Sequence, residues 1–160
     1  MIDPTDLAKA FGRNANIINS QAKDLTHADS LIQPPFHGNC FNWVLGHLVA
    51  NHDDVLDALG EPRLFEGRLD RYKRESESLT HEDKNTIRFD ELVEWFERGQ
   101  IKISESLNHV DNESLSREIQ SGDRKTTVGQ RVFFLYFHET YHVGQTELFR
   151  QLAGKNDKVI

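Results

Sequence analysis

The chain has one cysteine, Cys40, in 160 residues, so it cannot form an internal disulfide, and a closed structural zinc site of the cysteine-rich kind lacks its ligands. No apolar run approaches the roughly 18 residues that a membrane-spanning helix needs. Basic charge is also short. With 19 Lys and Arg against 26 Asp and Glu, the formal charge is −7, whereas affinity for phosphate backbones comes from Lys and Arg gathered on one face. Neither nucleic acid nor membrane is therefore expected as a partner. The opening Met1-Ile2-Asp3-Pro4-Thr5 has no basic start followed by an apolar core. Without a secretory signal or paired cysteines, the expected compartment is the cytoplasm.

Strand signals are missing as well, since no stretch shows sustained alternation bounded by hairpin turns. What is present is helical periodicity, in four stretches whose apolar residues return every three or four positions. The expected fold is all-α, a four-helix bundle in one domain over residues 1–154, with 155–160 a flexible tail. The first helix is expected from Pro4 to Leu31, with Leu7, Phe11, Ile18 and Leu25 on one stripe. Asn14 and Gln21 interrupt that stripe and either reach the interior or mark a helix edge. After the turn Gln33-Pro34-Pro35-Phe36-His37-Gly38, a second helix runs from near Asn39 to Gly60, a residue suited to a left-handed cap. The third runs from Phe89 to Val110. The fourth begins at Thr127-Val128-Gly129-Gln130, which has capping-box spacing, and ends at Gly154.

The short link between helices one and two requires antiparallel neighbours, whereas the segment from Gly60 to Ile87 is long enough to run back along the bundle. Within that crossover Leu64, Phe65, Leu69 and Tyr72 are available to pin it across one end. Arg68, Arg71, Lys73 and Arg74 are interleaved with Asp70, Glu75 and Glu77, and read as a solvated loop.

The chemistry concentrates in histidines. His138 and His142 stand four apart beside the apolar run Val132-Phe133-Phe134-Leu135-Tyr136-Phe137, so both rings share one helix face and can reach one cation. Two imidazoles hold a cation weakly, and catalytic zinc sites use three protein ligands plus water. His47 is the third candidate, set mid-helix among Trp43, Val44, Leu45, Leu48 and Val49, with Gly46 permitting close approach of a neighbouring element. His27, His37, His81 and His109 lie in polar or turn sequence, and His52 points away from the face of His47. The string His138-Glu139-x-x-His142 also matches zinc peptidases, in which the glutamate is the general base. Its context does not fit, because the longer form of that motif needs a histidine where Leu148 stands. The downstream glutamate of the thermolysin type also has no comfortable candidate.

With His47 and the helix-four pair assembled, the sequence resembles the DinB/YfiT-like family of four-helix-bundle metalloenzymes. The matching residues are Asn42-Trp43-Val44-Leu45-Gly46-His47-Leu48 and His138-Glu139-Thr140-Tyr141-His142-Val143-Gly144-Gln145. That resemblance implies an up-down-down-up bundle with the long crossover between helices two and three, a homodimer, and a zinc or nickel ion on His47, His138 and His142. It further implies a thiol-dependent transferase of the bacillithiol S-transferase kind, working with a small-molecule thiol and an electrophilic substrate. A metal-dependent hydrolase and a non-catalytic metal-binding stress protein are the alternatives. Gln145, Asn51 and Asp54 lie where they can orient the rings or serve as ordinary interior polar groups. Glu139 and Gln145 are the candidate catalytic residues. Glu139 either touches a metal-bound water or faces solvent or helix three, and Tyr141 is equally open. Cys40 reads as a buried small residue rather than a nucleophile.

Overall fold

The computed structural model describes residues 3–157 and 159, so positions 158 and 160 of the expected tail lie outside the described residues. The chain is mostly helical. Four long helices, α1 (Pro4–Ala22), α3 (Phe41–Leu59), α4 (Phe89–His109) and α6 (Val128–Leu152), are joined by two short ones, α2 (His27–Ser30) and α5 (Asn112–Ser116). A hairpin of β1 (Glu118–Ser121) and β2 (Arg124–Thr127) precedes α6. No helix among the described residues is long and apolar enough to cross a membrane.

The expected first helix is interrupted. α1 stops at Ala22, Asp24 takes a left-handed φ of 59°, and Thr26 starts a new turn through a reciprocal capping box with Asp29. A Thr side chain offers the backbone a local alternative to the helix, which Thr26 takes here, and Asp24 is a residue type that tolerates the left-handed turn before it. The hairpin is a second departure. Its strands are polar and barely alternate, so the usual signal is weak. The surviving clue was Gly122-Asp123, a two-residue loop with Gly122 at a φ of 58°, as tight hairpins require. Elsewhere the punctuation holds: Gly60 caps α3 at a φ of 84°, and Thr127 and Gln130 form their capping box on α6.

α1 packs on α4 and α6, and α3 packs on the same two helices, so α1 and α3 lie on one diagonal of the bundle and are not the packed neighbours expected from the short link between them. The interior is two apolar clusters. One contains Ala15 and Ile18 of α1, Phe41 to Val49 of α3, Phe89 to Phe96 of α4, and Val143 and Phe149 of α6. The other contains Leu7 to Phe11, Val55 to Ala58, Ile103 and Leu107, and Val128 to Leu135. On every long helix the gap between clusters falls on polar or small residues: Asn14, Asn51 to Asp53, Gly99, and His138 to His142. A polar layer thus crosses the core. Buried polar groups require partners there, and most of them find one across the layer.

The crossover after α3 is tied down in three places. Asp53 accepts the backbone N–H groups of Leu64 and Phe65 at 2.8 and 3.1 Å. Arg71, read from sequence as part of a solvated loop, is instead held by Asp83 and by the carbonyls of Glu77 and Ser78. Tyr72 is fully buried, its ring filling the space where a Cβ on Gly46 would otherwise lie. Its hydroxyl donates to Asn42 Oδ1 at 3.0 Å and accepts the Ile87 N–H at 2.8 Å. Burial pushes this phenol up to about 12. At the other end, the nearly buried guanidinium of Arg150 donates to the carbonyls of Gln21 and Lys23 at the end of α1, where cations are favoured, and to Asp157. Asp157 thereby anchors part of the expected loose tail.

The Gly46 contact predicts its own test. Gly46→Ala should lower stability by about 1–3 kcal/mol in urea unfolding, the usual cost of overpacking. Gly38→Ala, at a site with only ordinary contacts, should change it far less.

Candidate metal centre

α3 presents His47 and α6 presents His138 and His142, one turn apart, across the α3–α6 seam. The three rings meet through their Nε2 atoms. His138 Nε2 lies 3.3 Å from His47 Nε2 and 3.2 Å from His142 Nε2. Among the described residues they form a cluster of potential metal ligands with no carboxylate or thiol in it.

The other nitrogen of each ring is engaged. His47 Nδ1 donates to the Tyr72 carbonyl at 2.8 Å, His138 Nδ1 to Asn51 Oδ1 at 3.1 Å, and His142 Nδ1 to Gln145 Oε1 at 2.7 Å. Asn51 is itself oriented by donating its amide hydrogen to the Leu135 carbonyl at 3.2 Å. An oxygen of this kind only accepts, so each Nδ1 carries the hydrogen and each Nε2 presents a lone pair. Three lone pairs then converge with no proton to share. A tetrahedral cation about 2.0–2.1 Å from each imidazole nitrogen would hold two of them about 3.3–3.4 Å apart, close to the spacing found. The residues therefore fit a single divalent ion.

Electrostatics agrees with neutral rings. Burial lowers the pKa of all three histidines, and His138 is brought to about 4 by burial and then by His142 and His47, with smaller contributions from Arg131 and Arg74. The Trp43 ring stacks on His47 at 4.9 Å and 15°, closing one side. His47 and His138 open on the other side into a cavity of about 620 Å³ that is also lined by Phe65, Leu135, Phe134 and Arg131.

Of the other residues singled out from sequence, Asn51 and Gln145 are placed on the ligand rings, whereas Asp54 pairs with Arg63 at 2.9 Å. Glu139 is fully buried and points into the polar layer. Its oxygens take His52 Nε2 at 2.8 Å and Asn14 Nδ2 at 3.2 Å. Asn14 thus interrupts the α1 stripe because it reaches the interior. Gly99 makes room for the His52 ring, which stacks on Phe96 at 4.4 Å. Tyr141 is exposed, and Cys40 is buried with its thiol pushed up in pKa by that burial. Sequence reasoning named Tyr72 as a pin for the crossover but missed its carbonyl as the partner of His47, because a backbone carbonyl leaves no residue-type signal. It also missed Arg131, although that residue stands seven positions before His138 and hence nearly on the same face.

Two outcomes follow for the metal-free protein. Glu139→Ala leaves His52 and Asn14 without their buried partner and should cost about 2–5 kcal/mol in denaturant titration, with Glu139→Gln milder. The unfolded chain protonates these histidines near pH 6.5 and the folded one only at lower pH, so between about 6.5 and 4 the unfolded state binds more protons. Stability should therefore fall as pH drops through that window, and His138→Gln should flatten the fall. A profile unchanged by His138→Gln would contradict the burial of a neutral ring.

Comparisons with known proteins agree with this architecture. No curated protein matches the chain. A crystal structure described as the conserved protein of locus from Enterococcus faecalis superposes with a TM-score of 0.72 at 17% identity, covering 96% of this chain and 98% of that one. At that identity the likeness is one of fold. The family model described as DinB superfamily matches residues 10–146, a span that holds His47, His138, His142 and the polar layer around them. The chain belongs to the DinB superfamily.

Proposed function

We propose that the chain is a metal-dependent enzyme in which His47, His138 and His142 hold one divalent cation, zinc or nickel, and that it transfers or adds a small thiol to an electrophilic molecule. The observation that carries this reading is the convergence of three Nε2 lone pairs at 3.2–3.3 Å with every Nδ1 already donating. When bound, the cation supplies Lewis acidity that lowers the pKa of a thiol reaching it.

The remaining work falls to the chain. Tyr72, Asn51 and Gln145 fix the tautomer and tilt of the rings. Phe65, Phe134 and Leu135 give the cavity an apolar wall on which an electrophile can rest, and its volume suits a small molecule. Peptidase-like hydrolysis has less support, because Glu139, which would have to serve as its base, is occupied by His52 and Asn14. A purely structural role has less support, since no fourth protein ligand joins the cluster among the described residues.

Two finer features belong to the same proposal. α1 and α6 meet the Leu7–Leu107 cluster before the Phe41–Phe89 one, while α3 and α4 meet them in the reverse order. This supports an up-down-down-up course. Self-association as a homodimer is expected from the family resemblance, and light scattering tests it directly.

Metal content measured by mass spectrometry on tag-free protein should be about one ion per chain and fall toward zero in His47→Ala, His138→Ala and His142→Ala; normal content in any of them removes that residue from the ligand set. Gln145→Ala and Asn51→Ala should weaken metal affinity by about 10–100-fold. Metal-loaded protein given small thiols and chlorodinitrobenzene should show metal-dependent conjugation, and the absence of any metal-dependent rate would count against transfer.

A further inference from the structure

Charges of both signs line the cavity that reaches the histidines, but most of them are already engaged. Asp53 is occupied by the backbone of Leu64 and Phe65, and Asp54 by Arg63. Arg63 is also within 3.5 Å of Asp57, and Lys73 is paired with Asp70 at 2.6 Å. Two guanidiniums remain. Arg74 has only Glu75, 3.9 Å away, with both side chains almost wholly in water, an arrangement that holds little. Arg131 has no ion-pair partner among the described residues, and its guanidinium stands 5.7 Å from the Phe134 ring. Glu66 lines the same cavity as an exposed acid and pairs with neither.

An unpaired guanidinium in a cavity is unexpected in this chain, where acids outnumber bases 26 to 19. Its position is also specific. Seven residues separate Arg131 from His138, which is about 10 Å along the helix and about 20° around it, so both belong to one face. Arg131, Arg74 and His138 all line the same cavity. The cavity therefore has a site for a donor atom at one end, a free planar cation at the other, and an apolar wall between. A guanidinium takes a carboxylate through two parallel hydrogen bonds, and out of bulk water such a pair is worth more than a surface contact.

We propose that Arg131, assisted by Arg74, selects the ligand of this cavity by pairing with the carboxylate of a small anionic thiol whose sulfur reaches the histidine cluster. The inference rests on the proposed metal-and-thiol reading and adds the charge of the substrate and the residues that read it.

The test uses full-length protein loaded with cobalt(II) and two probes that differ only in charge, N-acetylcysteine and N-acetylcysteine amide. Calorimetry gives affinity, and sulfur-to-cobalt absorption reports whether the thiol reaches the metal. At low salt the carboxylate should bind at least about tenfold tighter than the amide, with the ratio shrinking as salt rises. Arg131→Ala and the Arg131→Ala/Arg74→Ala pair should bring the two probes within about twofold by weakening the carboxylate alone. Arg131→Lys should keep part of the preference, and Arg63→Ala, whose partner is Asp54, should keep all of it. Circular dichroism confirms that each variant is folded. Equal affinities in the unaltered protein, or a preference surviving in the double variant, overturn the proposal. Equal affinities accompanied by the absorption band leave the thiol reading standing, whereas a carboxylate preference without the band sustains the pairing and overturns the thiol reading. If neither probe binds, both readings are overturned.

Discussion

The structure around the site depends on one steric fact, that residue 46 has no side chain. Into that space goes the ring of Tyr72, carried by the same crossover that Asp53 of α3 holds at Leu64 and Phe65. Once the ring is seated, its hydroxyl joins Asn42 to the start of α4 and its carbonyl faces the next residue of α3, His47. One tyrosine thus converts a long charged connection into part of the site. The imidazole of His47 is aimed by a main-chain atom whose position is set by packing, so its orientation depends on the fit of a ring against a glycine.

The same economy appears in the polar layer. Burial of Asn14, Asn51, His52 and Glu139, with the three clustered histidines half-buried beside them, in one slice of a bundle costs free energy unless each donor meets an acceptor. Here one turn of α6 serves two networks. His138 turns toward Asn51 and the other rings, and Glu139, next in sequence and about 100° around the helix, turns toward His52 and Asn14. The two networks lock the rotation of α6 from both sides. This gives a structural account of a glutamate between two histidines that looks like a peptidase base and is bound up in the core.

Much of this was readable from the chain because the physics is local. The i, i+4 pair on α6, the apolar setting of His47, the glycine cap of α3 and the capping box of α6 each depend on a few neighbouring residues. The break after Ala22 was harder, since Asp24 and Thr26 work against a stripe that continues to Leu25 and Leu31. The hairpin escaped because its strands are too polar to show a buried face. Least legible were the long-range contacts: Tyr72 on Gly46 and Arg150 on the end of α1. Each joins segments far apart in sequence, and no periodicity records them.

The indole of Trp43 lies flat against His47, held there by its Nε1–H on Ser76 at 3.1 Å. The chain's other indole, Trp95, stacks on Phe65 at 4.7 Å and has Arg68 over its face. One tryptophan is therefore coupled to a ring whose electron distribution changes when its lone pair is taken, and the other to a ring with no lone pair to give. A cation held by His47 would therefore act on the neighbour of one indole and leave the neighbour of the other unchanged.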